Sequence, residues 1–344
     1  MKCLTNNWDL KLLKYYILYH MKESKVLYKI IKKVNLADKL CLYEIENSRL
    51  AKAAMPGQFL IVKIDERGER IPLTICDYNR DKGTVTIVVQ EVGATTKRMN
   101  ELKEGDYLQD VVGPLGNASD LIGLTKEELD KKKIVFIAGG LGAAPVYPQA
   151  KYLSELGVNF DVILGSKSKN ILILENEYRN LNCNLYICTD DESYGFKGPV
   201  TNVLTMLCDG TIANANYKDE NGNVITGKDA CKNVEKKSYG HVVAIGSAVM
   251  MKFSCIATKE LGIPTIVSMN TLMVDGTGMC GACRLMVGDE LKFCCIDGPE
   301  FDGHKIDFDA VIKRQAQYKE EESRALLKLN EGTTHHGGCG NCGG

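Results

Sequence analysis

The sequence has no excess of charge of either sign: 43 Lys plus Arg stand against 44 Asp plus Glu, a formal net charge of −1. That balance gives no electrostatic reason for nucleic acid or an anionic membrane to be a partner, and neither is expected. A long apolar run is also lacking. The first apolar stretch, Leu10 to Tyr19, is interrupted by Lys11 and Lys14 and is followed by no small-residue cleavage site, which speaks against a secretory signal and against a membrane span. A soluble, cytoplasmic protein is the expectation. His20, His241 and His304 have no nucleophile or metal-ligand pattern around them, so none is a candidate centre.

What is present fits a multidomain globular chain. At 344 residues two or three domains are expected, and 44% apolar with 25% charged residues excludes a disordered or fibrous chain. Cysteine is plentiful, at 14. Disulfides, buried thiols and metal ligands all remain open on that count. Cys41, Cys76, Cys183, Cys188, Cys208 and Cys255 sit in apolar or strand-like segments and read as packing. Cys280, Cys283, Cys294 and Cys295 crowd together, and Cys339 and Cys342 form a C-x-x-C near the end.

From Lys25 to about Val112 the pattern is of short strands at Val26–Val34, Leu40–Ile45, Gln58–Ile64, Arg70–Cys76 and Thr84–Val89, with Gly- and Asp-rich turns between them, then a short helix at Thr95–Leu102. Regular spacing of this kind predicts a small antiparallel β-barrel. Strand and helix then alternate: strands at Lys133–Ala138, Asn159–Leu164, Asn184–Cys188, His241–Ile245 and Thr265–Ser268, helices at Pro145–Leu156, Pro199–Leu207 and Ala248–Glu260. This predicts a doubly wound α/β domain with a parallel sheet. A polar insert at 209–239 carries Asn221-Gly222, a hairpin-turn pair, and reads as a surface hairpin or mobile loop. One charged amphipathic helix is expected near Ala310–Leu329. Residues 1–24 read as an extension, with Met21 a second candidate start, and the Gly-rich end as disordered.

Gly139, Gly140 and Gly142, with Pro145 where a dinucleotide fingerprint has its third glycine, lie between a strand and a helix. Glycine there lets backbone approach a pyrophosphate, and the helix start offers free N–H groups; a tight turn with no ligand is the plainer alternative. Asp190 and Asp191 follow the next-but-one strand, where a carboxylate can meet ribose hydroxyls or simply be solvated. Gly246 occupies the same place after a later strand. The segment from Gly165 to Lys169 has lysines able to meet a 2′-phosphate, so NAD and NADP both stay open. In the barrel, Arg70 and Thr74 fall on one strand face with Leu73 between them, and Gly93, Thr95 and Thr96 mark a helix start; together they could hold a phosphate-bearing ligand, or be a surface arginine and a helix cap.

The most specific local pattern is Asp275-Gly-Thr-Gly-Met-Cys280-Gly-Ala-Cys283 followed by Cys295. Plant-type 2Fe-2S proteins space their ligands C-x4-C-x2-C with a distant fourth. Here Asp275 takes the first place, giving three thiolates and one harder oxygen donor. Structural zinc and clustered buried thiols are the rivals, and Cys294 competes with Cys295. His335, His336, Cys339 and Cys342 lack a preorganised setting.

The order of R-x-P-L-T-I barrel, G-G-x-G-x-x-P domain and cysteine loop, with Asp297-Gly298-Pro299-Glu300 after it, resembles the ferredoxin reductase-like electron-transfer subunits over about residues 25–325. This family includes the electron-transfer subunit of class 1B dihydroorotate dehydrogenase and the small subunit of NADH-dependent reduced ferredoxin:NADP oxidoreductase. Asp at the first ligand place makes the chain most similar to the latter. The resemblance implies an FAD-binding barrel at 25–120 that uses Arg70, Leu73, Thr74, Gly93, Thr95 and Thr96, and an NAD-binding domain at 130–270. It implies a 2Fe-2S segment at 271–325 with Asp275, Cys280, Cys283 and Cys295 as ligands, leaving a tail at 326–344. It also implies FAD, 2Fe-2S and NAD(H) as cofactors, and a heterodimer with a larger subunit that carries FAD and 4Fe-4S clusters, is similar to a glutamate synthase small subunit and exchanges electrons with ferredoxin. Service to dihydroorotate oxidation, or a nucleotide-binding redox sensor, are the alternatives.

Overall fold

The computed structural model describes residues 27–66 and 68–331, so the expected extension at 1–24 and the His335, His336, Cys339 and Cys342 cluster lie outside the described residues. The first sheet has seven strands: β1 (Tyr28–Ala37), β2 (Leu40–Glu46), β3 (Phe59–Lys63), β4 (Ile71–Asn79), β5 (Thr84–Gln90), β6 (Tyr107–Leu108) and β7 (Asp110–Leu115). Their spatial order is β6-β1-β2-β5-β4-β3-β7, every pair antiparallel. The two ends of the sheet, β6 and β7, are consecutive in the chain, so the sheet curls almost closed. Period-two burial drives this: Cys41, Tyr43 and Ile45 of β2 are buried and alternate with the less buried Leu42, Glu44 and Glu46. Two helices cover the barrel, α1 (Ser48–Ala53) and α2 (Ala94–Glu101). The Tyr43 hydroxyl donates to the Met99 carbonyl at 2.9 Å and pins α2 in place.

The second sheet begins with β8 (Ile134–Gly139), β9 (Asp161–Ser166), β10 (Asn184–Thr189) and β11 (Gly195–Lys197), and continues through β12 (Asn216–Lys218), β13 (Val224–Thr226), β14 (His241–Ile245) and β15 (Thr265–Ser268). A hairpin, β16 (Arg284–Val287) and β17 (Glu290–Phe293), precedes its last member, β18 (Glu300–Asp302). The order is β13-β12-β11-β10-β9-β8-β14-β15-β18. From β11 to β15 all pairs are parallel. The chain steps outward from β8 through β9 and β10, then returns to β8's other side as β14. That reversal makes the carboxyl ends of β8 and β14 the crevice where open α/β sheets bind ligands.

Apolar residues on both faces of these strands explain the helices that flank them. Phe136, Ala138, Val162 and Leu164 pack with Val146, Ala150 and Leu153 of the helix 143–155 on one side. Val135, Ile137 and Ile163 pack with Val203, Leu204 and Met251 from the helices 200–209 and 248–260 on the other. Each Val, Leu, Ile, Phe or Met side chain among them contributes about 1.5–3 kcal/mol when fully buried.

The insert does form a hairpin around Asn221-Gly222, and it is tied into the sheet. β12 pairs with β11, and Tyr217 is buried edge-on against Phe196, ring centroids 5.0 Å apart. The single helix expected at Ala310–Leu329 is instead two, Phe308–Gln315 and Lys319–Glu331. The first buries Phe308 and Val311 while the second buries nothing, so one amphipathic stripe does not continue through both.

His241 starts β14 with only 9% of its surface exposed, and burial, aided by Lys132, holds its imidazole down to about 4 from an ordinary 6.5. A folded state that resists the proton loses stability as pH falls from about 6.5 towards 4, by about 2–3 kcal/mol in all. Thermal unfolding followed over that range should show the loss, and His241→Gln should flatten it.

Candidate functional site

A cavity of about 1110 Å³ opens between the barrel and the switch point of the second sheet. Phe59, Pro72, Leu73 and Thr74 form its barrel wall. Its floor is the glycine turn Gly139–Gly142 with Pro145, joined by Gly165, Ser166, Lys167, Asp190 and Gly246 from the ends of neighbouring strands. Met269 to Thr271, Met273 and Pro299 close the third side. The volume exceeds that of a site for one drug-sized molecule, and suits an extended dinucleotide or two stacked ring systems.

The glycine turn has a strict spatial cause. A Cβ on Gly142 would stand 1.9 Å from the Ile245 carbonyl oxygen, so the turn passes directly over the end of β14 and only glycine fits. Gly139 and Gly246 instead face the flexible end of Met250, whose Cε would lie 3.0 Å and 2.3 Å from an added Cβ.

Of the residues singled out in the sequence, Leu73, Thr74, Gly139, Gly140, Gly142, Pro145, Asp190 and Gly246 meet in this cavity. Others lie off its wall. Arg70 donates from Nε to the Val274 carbonyl at 3.2 Å and from a terminal nitrogen to the Asp275 carbonyl at 3.5 Å, reaching the cysteine loop. The Thr95 hydroxyl donates to Glu69 at 2.5 Å, and Thr96 caps α2 by accepting from the Val92 and Gly93 amides. Asp191 accepts from the Ser193 amide at 2.9 Å, and the Ser193 hydroxyl foremost, with that amide, keeps its carboxyl below the usual range. Lys167 faces the cavity, whereas Lys169 donates to the Glu220 carbonyl at 2.9 Å and lies over the Tyr194 ring.

The cysteine loop packs against the barrel. Gly276 has φ of +76°, and a Cβ there would meet Ile61 Cδ1 at 2.6 Å and Leu115 Cδ1 at 2.8 Å. Within the loop the Asp275 carboxylate accepts from the amides of Thr277 (3.1 Å), Met279 (3.0 Å) and Cys280 (2.9 Å). These bonds hold its carboxyl below the usual range, the Thr277 amide foremost. The Cys280 thiol donates to Asp275 at 3.4 Å and is exposed. Cys283 and Cys295 are buried with their sulfurs 3.3 Å apart. Burial and the Cys283 thiol push Cys295 up, while burial alone is the main cause for Cys294. The four expected ligands therefore stand as two pairs. No group of three metal-ligating side chains is close enough to hold an ion among the described residues. The donor types still fit an iron-sulfur group: Asp275, Cys280 and Cys283 share one loop, and Cys295, just past the hairpin β16–β17, brings its sulfur to 3.3 Å from that of Cys283.

Sequence reasoning missed a buried chain at the junction of all three parts. The Ser119 hydroxyl donates to Gln149 Oε1 at 3.1 Å, and Gln149 Nε2 donates to Glu300 Oε1 at 2.5 Å. Burial pushes the Glu300 carboxyl up to about 7. No motif betrayed it. No helix among the described residues is long and apolar enough to cross a membrane.

With this geometry in place, the likeness to known proteins is direct. The model of the iron-sulfur cluster binding domain of dihydroorotate dehydrogenase B matches residues 270–307. A Thermotoga maritima homologue of the dihydroorotate dehydrogenase B (NAD(+)) electron transfer subunit is 38% identical, over 85% of this chain and 92% of that protein. The chain belongs to this family of electron-transfer subunits. The Fusobacterium nucleatum dihydroorotate dehydrogenase B electron transfer subunit is 30% identical over 78% of the chain and 93% of its own length. A solved structure of the NADH-dependent reduced ferredoxin-NADP oxidoreductase superposes with a TM-score of 0.75 at 36% identity, over 90% of this chain and 99% of that one. For these electron-transfer subunits the fold is a barrel followed by a parallel-rich sheet and a C-terminal iron-sulfur segment. Amycolatopsis cytochrome P450 reductase GcoB shares that fold alone, at 14% identity and a TM-score of 0.51.

Proposed function

We propose that this chain moves electrons between NAD(H) and a larger iron-sulfur flavoprotein subunit, with FAD on the barrel wall, NAD(H) on the glycine turn and a 2Fe-2S cluster held by Asp275, Cys280, Cys283 and Cys295. The observation that carries this reading is the single cavity that joins Leu73 and Thr74, the Gly139–Gly142 turn and the segment 269–273 leading into the cysteine loop. Flavin chemistry, when that cofactor is bound, converts two-electron hydride transfer into single-electron steps. The chain's own residues bind and orient. Backbone at Gly140 and Gly142 admits a pyrophosphate at the start of the helix 143–155, apolar walls exclude water, and no side chain is required as acid, base or nucleophile.

Within the family, Asp275 in place of a first cysteine supports assembly into a complex like the NADH-dependent reduced ferredoxin-NADP oxidoreductase, with a glutamate synthase small-subunit-like partner and ferredoxin as the exchanging protein. The second reading is supply of electrons to dihydroorotate oxidation, which the names of the curated relatives favour. The reconstituted chain should contain flavin absorbance, iron and acid-labile sulfide; absence of both flavin and iron would defeat the reading. Co-purification from native extract separates the two complexes: an iron-sulfur flavoprotein supports the first, an FMN-binding barrel subunit the second.

A further inference from the structure

The insert at 209–239 holds none of the expected cofactor residues, yet its hairpin reaches the nucleotide site. Strands β9 and β10 step away from the switch point on the side opposite β14, so a dinucleotide with its pyrophosphate on the glycine turn and its nicotinamide toward the barrel lays its adenosine half over their carboxyl ends. Of the charged side chains there, Lys167 and Asp190 line the cavity. The others are engaged elsewhere. Asp191 accepts from the Ser193 amide, and Glu192 pairs with Lys197. Extended backbone would put Lys169 on the same side as Lys167, but the chain enters a helical turn at Lys169–Ile171 and the Lys169 amide donates to the Ser193 hydroxyl at 2.8 Å. The Lys169 ammonium then lies 5.1 Å from the centre of the Tyr194 ring and donates to the Glu220 carbonyl at 2.9 Å.

Glu220 sits at the tip of the hairpin β12–β13, and the tip is braced. Asp219 accepts from the amides of Asn221 and Asn223 at 2.9 and 2.8 Å and from the Asn223 side chain at 2.9 Å, while β12 joins the second sheet through β11. The carbonyl that receives Lys169 is thus held by the sheet. A 2′-phosphate calls for cations, whereas a ribose 2′-hydroxyl calls for an acceptor such as a carboxylate. With Lys169 drawn aside the wall offers one lysine and one carboxylate, and Asp190 repels a phosphate. We propose that the insert hairpin is a nucleotide-selectivity element: it draws Lys169 out of the site and leaves a wall that takes the 2′-hydroxyl of NAD(H) and disfavours the 2′-phosphate of NADP(H). This rests on the reading of the glycine turn as the NAD(H) site and gives that site its basis for choosing between the two nucleotides.

Residues 219–223 join Lys218 to its cross-strand partner Val224, so replacing them by Asn-Gly keeps the two strands paired and removes the Glu220 carbonyl. The full chain with this shortened hairpin should bind NADPH about fivefold more tightly than the wild type, with NADH affinity unchanged. Adding Lys169→Ala to the shortened hairpin should return NADPH binding to the wild-type value, and Lys169→Ala alone should move neither nucleotide. An unchanged NADPH affinity in the shortened chain, or a gain that survives Lys169→Ala, would overturn the role of the hairpin. Weaker NADPH binding by Lys169→Ala alone would overturn it too, because the lysine would then reach the phosphate with the hairpin in place; this exposed substitution leaves the fold intact and tests the proposal even if the shortened chain does not fold. Failure of the wild-type chain to bind NADH would overturn the reading of the glycine turn instead.

Discussion

Gly142→Ala should weaken NADH binding by about 100-fold or more and destabilise the chain by about 3 kcal/mol. The backbone at this position is ordinary right-handed helical, φ −59°, so conformational freedom is not the issue. Space is: the new methyl would sit 1.9 Å from the Ile245 carbonyl oxygen and 2.6 Å from its carbon. These are atoms of β14, a buried central strand bonded on both sides, and they cannot retreat without breaking the sheet. Gly246→Ala is the matching control. Its methyl would meet the end of Met250 at 2.3 Å, which has rotatable bonds to spare, and the Gly139 carbonyl oxygen at 3.0 Å, a far looser approach than 1.9 Å, so the loss should be several-fold smaller. NADH titration and thermal unfolding of both variants measure the contrast. Equal effects in the two would mean that the turn is not held by its approach to β14.

Cys283→Ser should lower iron and acid-labile sulfide per chain by about tenfold or more, with loss of the low-temperature EPR signal of the reduced protein. Serine presents a harder oxygen on a shorter bond where a thiolate is required. Cys294→Ala is the discriminating companion. Cys294 has no exposed surface and packs in the core with Phe301 and Met273, so it should keep its iron and lose stability. If Cys294→Ala emptied the loop while Cys295→Ala did not, the ligand would have been assigned to the wrong neighbour. The 3.3 Å approach of Cys283 to Cys295 favours the assignment made above.

Much of the fold was legible because it rests on short-range periodicity. β14 and β15 coincide with the strands expected, and the hairpin at Asn221-Gly222 follows from a two-residue turn rule. What the sequence could not disclose are contacts between distant segments. Strand alternation put Arg70 and Thr74 on one face, but the guanidinium finds its acceptors at Val274 and Asp275, more than 200 positions further on. A helix start at Gly93 was readable, whereas the engagement of Thr95 by Glu69 depends on how the loop before β4 folds. The break between the helices 308–315 and 319–331 has neither proline nor glycine to mark it, and is decided by which helix has a core to cover.

The segment after residue 270 is last in sequence and central in space. β18 extends the second sheet by pairing with β15, while Asn117, just beyond the barrel, donates from its amide to the Gly298 carbonyl at 2.7 Å and from its side chain to the Ile296 carbonyl at 3.1 Å. Arg314 reaches the Ala282 carbonyl at 2.8 Å from the helix behind. This stretch works as a keystone rather than an appended module. Chain order suggests three parts that could be cut apart and expressed alone, but a cut at residue 270 would strip an edge strand from one sheet and leave the apolar flank of Ile61 and Leu115 on the other bare.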